Sequence, residues 1–291
     1  MQVQPFSVND GDGIRTTIFL AGCPMHCKWC SNPEGMAEEN KVGWYFRHCI
    51  GCGVCTQVCP SGIGIDMNKE RDKCIACGSC VKVCPKRARS CLVSYRDADD
   101  LIKEVDRHGM FLRGSGGGVT FSGGEATTQY ELLNYLSKRL YDKGYNLAIE
   151  TCGFFDFEKV EESLKRMDLI FMDIKHMNEE KHRHFTGVSN AKILENVKKL
   201  NKVDSRVVIR IPVIGGVNND EENIRATAKY VHKNLPKAEM EMLPYHTFGV
   251  IKYEALGLKK PENSFYRPDE FEMDRLRQIL CEEGITVVDF R

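Results

Sequence analysis

Fourteen cysteines are the residues best equipped for chemistry in this chain, and eleven of them fall between Cys23 and Cys84. Cys49, Cys52, Cys55 and Cys59 are followed by Pro60, and Cys74, Cys77, Cys80 and Cys84 by Pro85, so a C-x2-C-x2-C-x3-C-P run occurs twice. That spacing is the ligand pattern of [4Fe-4S] cubanes, each of which takes four thiolates. Structural zinc modules also use four thiolates, but usually as two well-separated C-x2-C pairs. Cys23, Cys27 and Cys30 are spaced differently, as C-x3-C-x2-C, and leave a cubane one ligand short. An iron without a protein ligand can bind and activate a substrate, as an open position does at catalytic zinc. His26, between these ligands on a tight loop, reads as a surface residue. Cys91, Cys152 and Cys281 have no ligand-like neighbour at motif spacing and read as isolated thiols.

The elements that must position these groups divide the chain in two. Residues 14–21, IRTTIFLA, read as a short strand that runs straight into Gly22-Cys23. Residues 35–92 carry two Cys-Pro pairs, several glycines and no long periodic helix. So few large apolar residues cannot supply a core, which points to a small domain held by metal. Beyond Ser94 the pattern alternates. Helices are expected over 97–107 (ended by Gly109), 127–142, 157–165, 190–201, 220–233 and 268–282. Strands are expected over 119–122, 145–151, 168–174, 206–213 and 238–243, with 287–290 as a candidate closing strand. Repeated βα units with nearly continuous apolar strands indicate an α/β fold, a parallel sheet covered by helices. Eight-strand barrels usually need about 250 residues, and about 230 remain outside the insert. A partial (β/α)6 barrel therefore fits better than a closed one, with a doubly wound sheet as the alternative. The expected division is 1–34 and 93–291 for the barrel and 35–92 for the inserted domain, with chemistry at the C-terminal ends of the strands.

Composition excludes several classes. Lys+Arg and Asp+Glu both number 41, a balance unlike the basic excess of a nucleic-acid binder. Apolar residues at 42% and charged residues at 28% exclude wholesale disorder. No export signal opens the chain and no 18-residue apolar run could span a bilayer. A cytoplasmic protein is expected, with no membrane and no nucleic-acid partner, and in that reducing compartment the cysteines serve metal rather than disulfides.

The paired runs resemble a bacterial dicluster ferredoxin over about 40 residues. That resemblance implies crossed ligation: Cys49, Cys52, Cys55 and Cys84 on one cluster, Cys59, Cys74, Cys77 and Cys80 on the other. The C-x3-C-x2-C motif, with Trp29 just before its last Cys, resembles the cluster motif of the radical S-adenosylmethionine (SAM) superfamily. The resemblance implies that the open iron of a third [4Fe-4S] cluster holds the amino and carboxylate groups of SAM. One electron then breaks the sulfonium bond, releasing methionine and a 5'-deoxyadenosyl radical, while the protein orients and excludes solvent. Trp29 and Ser31 would lie beside SAM. Gly123-Gly124-Glu125 resembles the superfamily's Gly-Gly-Glu. Its glycines expose backbone carbonyls, and Glu125 can accept from an ammonium group. Ala126 stands where Pro is common in the family.

Within that superfamily the chain is most similar to the activating enzymes of glycyl radical enzymes, of the pyruvate formate-lyase activating type. Residues 9–16, NDGDGIRT, resemble their Asp-Gly-x-Gly-x-Arg signature, which implies that Asp10, Gly11, Asp12 and Gly13 line the site for the target peptide backbone. Asp173-Ile174-Lys175 resembles the family's Asp-x-Lys, and His246 the histidine of its Leu-Pro-x-His-x-x-Gly. Lys175 would then face the SAM carboxylate, with Asp173 and His246 on the methionyl end. Arg210 in RIPVIGG resembles the RxP motif and would help position SAM. Glu150, Thr151 and Asp173 are implied as a site for a monovalent cation, Na+ or K+.

The expected protein is a monomeric, anaerobic activase that abstracts a hydrogen from one glycine Cα of a partner glycyl radical enzyme. Reduced flavodoxin or ferredoxin would donate electrons, and the two extra clusters would relay them or, alternatively, serve structure. A radical SAM enzyme acting on a small molecule or peptide is the first rival. An electron-transfer ferredoxin fused to an inert barrel is the second.

Overall fold

The computed structural model describes residues 2–290. Its strands are β1 (Gln2–Ser7), β2 (Arg15–Leu20), β3 (Lys41–Trp44), β4 (Arg89–Val93), β5 (Gly118–Gly123), β6 (Asn146–Thr151), β7 (Leu169–Asp173), β8 (Arg206–Val213) and β9 (Glu239–Pro244). Its helices are α1 (Val54–Gln57), α2 (Ser79–Lys82), α3 (Ala98–Gly114), α4 (Tyr130–Asp142), α5 (Phe157–Leu164), α6 (Glu179–Thr186), α7 (Ala191–Lys199), α8 (Glu221–Asn234), α9 (Val250–Leu256) and α10 (Glu270–Glu282). The main sheet has the order β1-β2-β5-β6-β7-β8-β9. Six of its strands are parallel, each beside its successor, and β1 is antiparallel on the β2 edge.

Alternation along these strands separates two faces. Leu147 and Ile149, Ile170 and Met172, Ile209 and Ile211, and Met240 and Met242 point toward the helices and build the main core. The other, inner face carries a smaller apolar group of Ala148, Leu169, Phe171 and Val208. Around it stand polar side chains: Thr17, Thr120, Ser122, Glu150, Arg210 and Glu241. A sheet covered on one face and polar on the other is suited to hold a site.

Two expectations need correction. The helix expected to stop at Gly109 starts on Asp97, whose side chain accepts from Asp99 N and Asp100 N, but runs on to Gly114. Gly109 is there for packing, since a Cβ would lie 2.4 Å from Tyr145 Oη. The closing strand over 287–290 shrinks to one bridge, Met240 to Val287. Phe290 turns instead onto the inner face, donating its N–H to Glu241 Oε1 at 2.9 Å, with its ring edge-on to Phe171 at 5.0 Å.

Residues 35–92 lie apart from the main sheet as the antiparallel pair β3–β4, the short helices α1 and α2, and connecting turns. Gly53 (φ 73°) and Gly78 (φ 75°) start α1 and α2 in the left-handed region that only glycine enters freely. Val42, Ile63 and Met67 form a small core against which Cys59, Cys74 and Cys80 pack. The segment rests on α9: Asn68 Nδ2 donates to Glu254 O at 3.0 Å and Arg71 Nη2 to Ala255 O at 2.7 Å. No helix among the described residues is long and apolar enough to cross a membrane.

Candidate active site

β2 delivers the first three thiols. The chain leaves Leu20, turns at Gly22 (φ +97°) and enters the loop that carries Cys23, Cys27 and Cys30 at the C-terminal ends of the parallel strands. The loop has no regular structure, so other elements satisfy its backbone. His26 N and Lys28 N donate to Thr186 O and Phe185 O at the end of α6, at 2.8 and 3.0 Å. Gly22 N donates to Gly35 O at 2.8 Å, and Tyr253 Oη from α9 donates to Cys30 O at 2.9 Å. Trp29, only 6% exposed, packs with Ile214, Val217, Tyr245 and Phe265. It anchors the loop in apolar surroundings. His26 is exposed, as expected.

The thiols share one electrostatic environment. Burial pushes Cys27 up to about 12 and Cys30 to about 11. At neutral pH neither carries charge unless a metal takes the place of its proton. Cys23 is held below the ordinary thiol range, chiefly because the Cys152 thiol donates to it. Cys152 is thus no isolated thiol: it sits in one apolar cluster with Met25, Cys23 and Cys27. Parallel pairing of β5 with β6 brings it there, a proximity that no sequence spacing reveals. The nearby cation is Lys175, 8% exposed and 2.6 Å from Asp173 Oδ2. Burial pulls its pKa down, but the charge of Asp173 and the hydrogen bond to it raise it further, so Lys175 stays an ammonium. Asn218, which sequence reasoning missed, donates to Lys175 O at 2.8 Å and fastens the end of β7 to that of β8.

Gly123 and Gly124 are demanded by close backbone approach. A Cβ on Gly123 would lie 2.0 Å from Leu20 O, and one on Gly124 would lie 2.1 Å from Gly35 O. Glu125 is buried, and its carboxylate accepts from Thr127 Oγ1 (2.7 Å), Thr151 Oγ1 (2.8 Å) and Cys152 N (2.6 Å). Its oxygens tie the turn after β5 to the end of β6. Ser31 lies against Gly249, where a Cβ would meet its Cα at 2.7 Å. The Ile174 side chain faces the helix core, while its N–H donates to Arg210 O at 2.9 Å. His246 follows β9 and stacks on Phe248 at 4.8 Å; its Nδ1 is buried without a hydrogen-bond partner.

Arg210 belongs to the inner face, clamped between Glu150 (2.5 Å) and Glu241 (2.7 Å) above the Phe171 ring. The three residues expected at a monovalent cation each have a side-chain partner within the protein. Glu150 is held by Arg210 and Ser122, Thr151 by Glu125, and Asp173 by Lys175. The loop from Asp10 to Gly13 precedes β2 and so lies at the opposite end of the strands from Cys23. Asp10 turns its carboxylate inward to Thr17 Oγ1 at 2.5 Å, and Asp12 meets Arg206 at 3.4 Å. Arg15, the arginine of the Asp-Gly-x-Gly-x-Arg match, is fully buried there and donates to Thr120 Oγ1, Asn146 Oδ1 and Val119 O.

The remaining eight clustered cysteines line two cavities. One is bordered by Cys49, Cys52, Cys55 and Cys84. The other is bordered by Cys59, Cys74, Cys77 and Cys80, with Cys55 also at its wall. Each crossed set expected from the sequence therefore shares a cavity. Among the described residues no three His, Cys, Asp or Glu side chains are arranged to hold a single metal ion.

Comparison with known proteins agrees with this geometry. The model of the radical SAM superfamily matches residues 17–228. The trans-4-hydroxy-L-proline dehydratase activating enzyme of Clostridioides difficile is 38% identical, covering 96% of this chain and 94% of its own. The choline trimethylamine-lyase activating enzyme of Oleidesulfovibrio alaskensis is 36% identical, covering 89% and 87%. The crystal structure of a domain of pyruvate-formate lyase-activating enzyme from Bacteroides vulgatus is 32% identical with a TM-score of 0.50, covering 60% of this chain and 98% of that one. The chain belongs to the radical SAM superfamily and, within it, to the activating enzymes of glycyl radical enzymes. It is an enzyme that uses SAM radical chemistry to activate a protein partner.

Proposed function

We propose that Cys23, Cys27 and Cys30 hold the [4Fe-4S] cluster that binds SAM at its open iron. When bound and reduced, that pair supplies the 5'-deoxyadenosyl radical which takes a hydrogen from one glycine Cα of the partner enzyme. The observation that carries the assignment is Lys175, a buried ammonium set among the thiols at the C-terminal ends of the strands. Its charge suits the SAM carboxylate, and Asp173 fixes its direction through the 2.6 Å ion pair. Gly123 and Gly124 bring bare backbone to the same end of the sheet, where their carbonyls can receive an ammonium group. The His246 Nδ1, buried without a partner, is available to the methionyl end. Glu125, Trp29 and Ser31 shape and hold the loops around SAM. Arg210 with its two carboxylates, and Asp10 to Gly13 at the far end, line the inner face along which the target peptide would lie. A monovalent cation at Glu150, Thr151 and Asp173 would share them with Arg210, Ser122, Glu125 and Lys175.

Residues 35–92 would house two further [4Fe-4S] clusters, on Cys49, Cys52, Cys55 and Cys84 and on Cys59, Cys74, Cys77 and Cys80. They would relay electrons inward from reduced flavodoxin or ferredoxin. The test is anaerobic reduction with SAM and a candidate glycyl radical enzyme, followed by electron paramagnetic resonance. A glycine-centred doublet is expected. Deoxyadenosine released without that radical would mean a different hydrogen donor.

A further inference from the structure

Only two residues line both cavities of the 35–92 segment: Cys55 and Arg89. Arg89 opens β4 opposite Trp44, whose ring lies 5.4 Å from the guanidinium carbon. Its side chain is 4% exposed. Nη2 donates to Ile65 O at 2.7 Å and Gly64 O at 3.2 Å, and lies 3.8 Å from Cys55 Sγ. Nη1 is buried without a hydrogen-bond partner. Among the described residues, no carboxylate forms an ion pair with this guanidinium. A buried cation without an anion is disfavoured by several kcal/mol, and two carbonyls and a ring face do not neutralise it. The anionic groups available in its surroundings are the thiolates of the two cavities.

We infer that Arg89 is the shared counter-charge of the two inserted clusters, raising the reduction potential of both together without opening a gap between them. The inference rests on the proposal that these cavities hold [4Fe-4S] clusters. Its physical basis is that cluster potentials follow net charge and hydrogen bonding to sulfur. A fixed positive charge between two cubanes stabilises the extra electron on either one. With the charge centred between them neither is favoured, and an electron can pass without a large uphill step. A purely structural arginine would hold the Gly64–Ile65 turn and leave the potentials alone.

The test uses the intact, reconstituted enzyme and two variants, Arg89→Gln and Arg89→Lys, read by iron content and by redox titration followed by electron paramagnetic resonance. Removing the charge in Arg89→Gln is expected to reduce the equilibrium constant for reduction of both inserted clusters by about tenfold or more. Tenfold is 59 mV for one electron. The SAM-binding cluster should keep its potential, and iron should stay at about twelve per chain, four for each cubane. Arg89→Lys, which keeps the charge, should remain within about threefold of the wild type. Unchanged potentials in Arg89→Gln at full iron content would overturn the inference while leaving the cluster assignment intact. Wild-type protein with only about four irons would instead defeat the assignment on which it rests. Should the Gln variant fail to take up iron, the Lys variant decides. Wild-type iron and potentials support the counter-charge, and loss of iron with Lys as well overturns it.

Discussion

Lys175 shows what a motif conveys and what only the fold supplies. Asp-x-Lys at the end of a strand is an ordinary surface pair by spacing alone. The structure buries the lysine beside Cys27 and Cys152 and holds it charged through Asp173. Replacing it with methionine keeps the volume and removes the charge. A hydrogen bond to a charged group contributes about 1.5–3 kcal/mol, so SAM affinity of Lys175→Met should fall roughly 10- to 100-fold. Iron content should be unchanged, since Lys175 is no ligand. Equilibrium dialysis under anaerobic conditions measures the first and a colorimetric iron assay the second; wild-type affinity would place SAM elsewhere. The cluster cysteines were legible because their types and spacings are themselves the chemistry, whereas Lys175 and the glycine pair were legible only through the family resemblance. Cys152 and Asn218 were not, since their importance comes from neighbours far away in the chain. Glu150, Thr151 and Asp173 show the same dependence, since in the folded chain each has a hydrogen-bond partner that the letters alone do not name.

Elements carry the next level of the argument, because the loop with Cys23, Cys27 and Cys30 owns no secondary structure. Its neighbours are the turn at Gly35 and the glycine pair after β5, packed so tightly that a single methyl would intrude. In Gly124→Ala the new carbon would sit 2.1 Å from Gly35 O and 2.5 Å from Gly22 O, both backbone atoms that cannot swing away. Overpacking of this kind commonly costs about 1–3 kcal/mol, and here the displacement falls on the segment that presents Cys23. Gly124→Ala should therefore lower the urea midpoint and reduce iron in the SAM-binding site. Gly144→Ala is the control: its Cβ meets nothing within 4 Å, and only its left-handed φ of +72° is penalised. Equal iron loss in both variants would remove close packing as the cause. The six βα units were readable from periodicity, since their strands are apolar runs and their helices amphipathic. Two helices that hold the site were not. The sequence of α6, EEKHRHFT, has almost no apolar stripe, yet its last carbonyls take the His26 and Lys28 amides. α9 has seven residues and passes for a loop, yet it supplies Tyr253 to Cys30 and seats the inserted segment. β1 was hidden by Pro5, which an edge strand tolerates and a central one does not.

At the scale of the whole molecule, a net charge of zero conceals an uneven distribution. Residues 35–92 hold nine Lys/Arg against five Asp/Glu, so the segment is at +4 and the rest of the chain at −4. Part of that excess is internal, in Arg89 and the half-buried Arg71. Lys82, Lys86 and Arg87 are exposed, and none forms an ion pair among the described residues. Lys86 also borders the cavity of Cys49, Cys52, Cys55 and Cys84, and Cys52 reaches the surface there. The other cavity is walled by Val42 and Met67, on the β3 side that packs against α9 and thus toward Cys30. Electrons arriving from outside would then enter at the Cys49 set and leave through the Cys59 set. A basic rim at the entrance favours an acidic carrier, because clustered charge raises encounter rates by roughly 10- to 1,000-fold and salt screens it over about 10 Å at 0.1 M. Reduction of the enzyme by an acidic flavodoxin or ferredoxin should accordingly slow as ionic strength rises. Reversing Lys82, Lys86 and Arg87 to Glu together should slow it about tenfold or more at low salt and flatten the salt dependence. Stopped-flow measurement with dithionite supplies the control, since a small reductant that needs no docking should reduce both proteins at similar rates. A variant slowed equally by both reductants would have lost its clusters rather than its dock, and a variant slowed by neither would move the entrance to the other exposed thiol, Cys77.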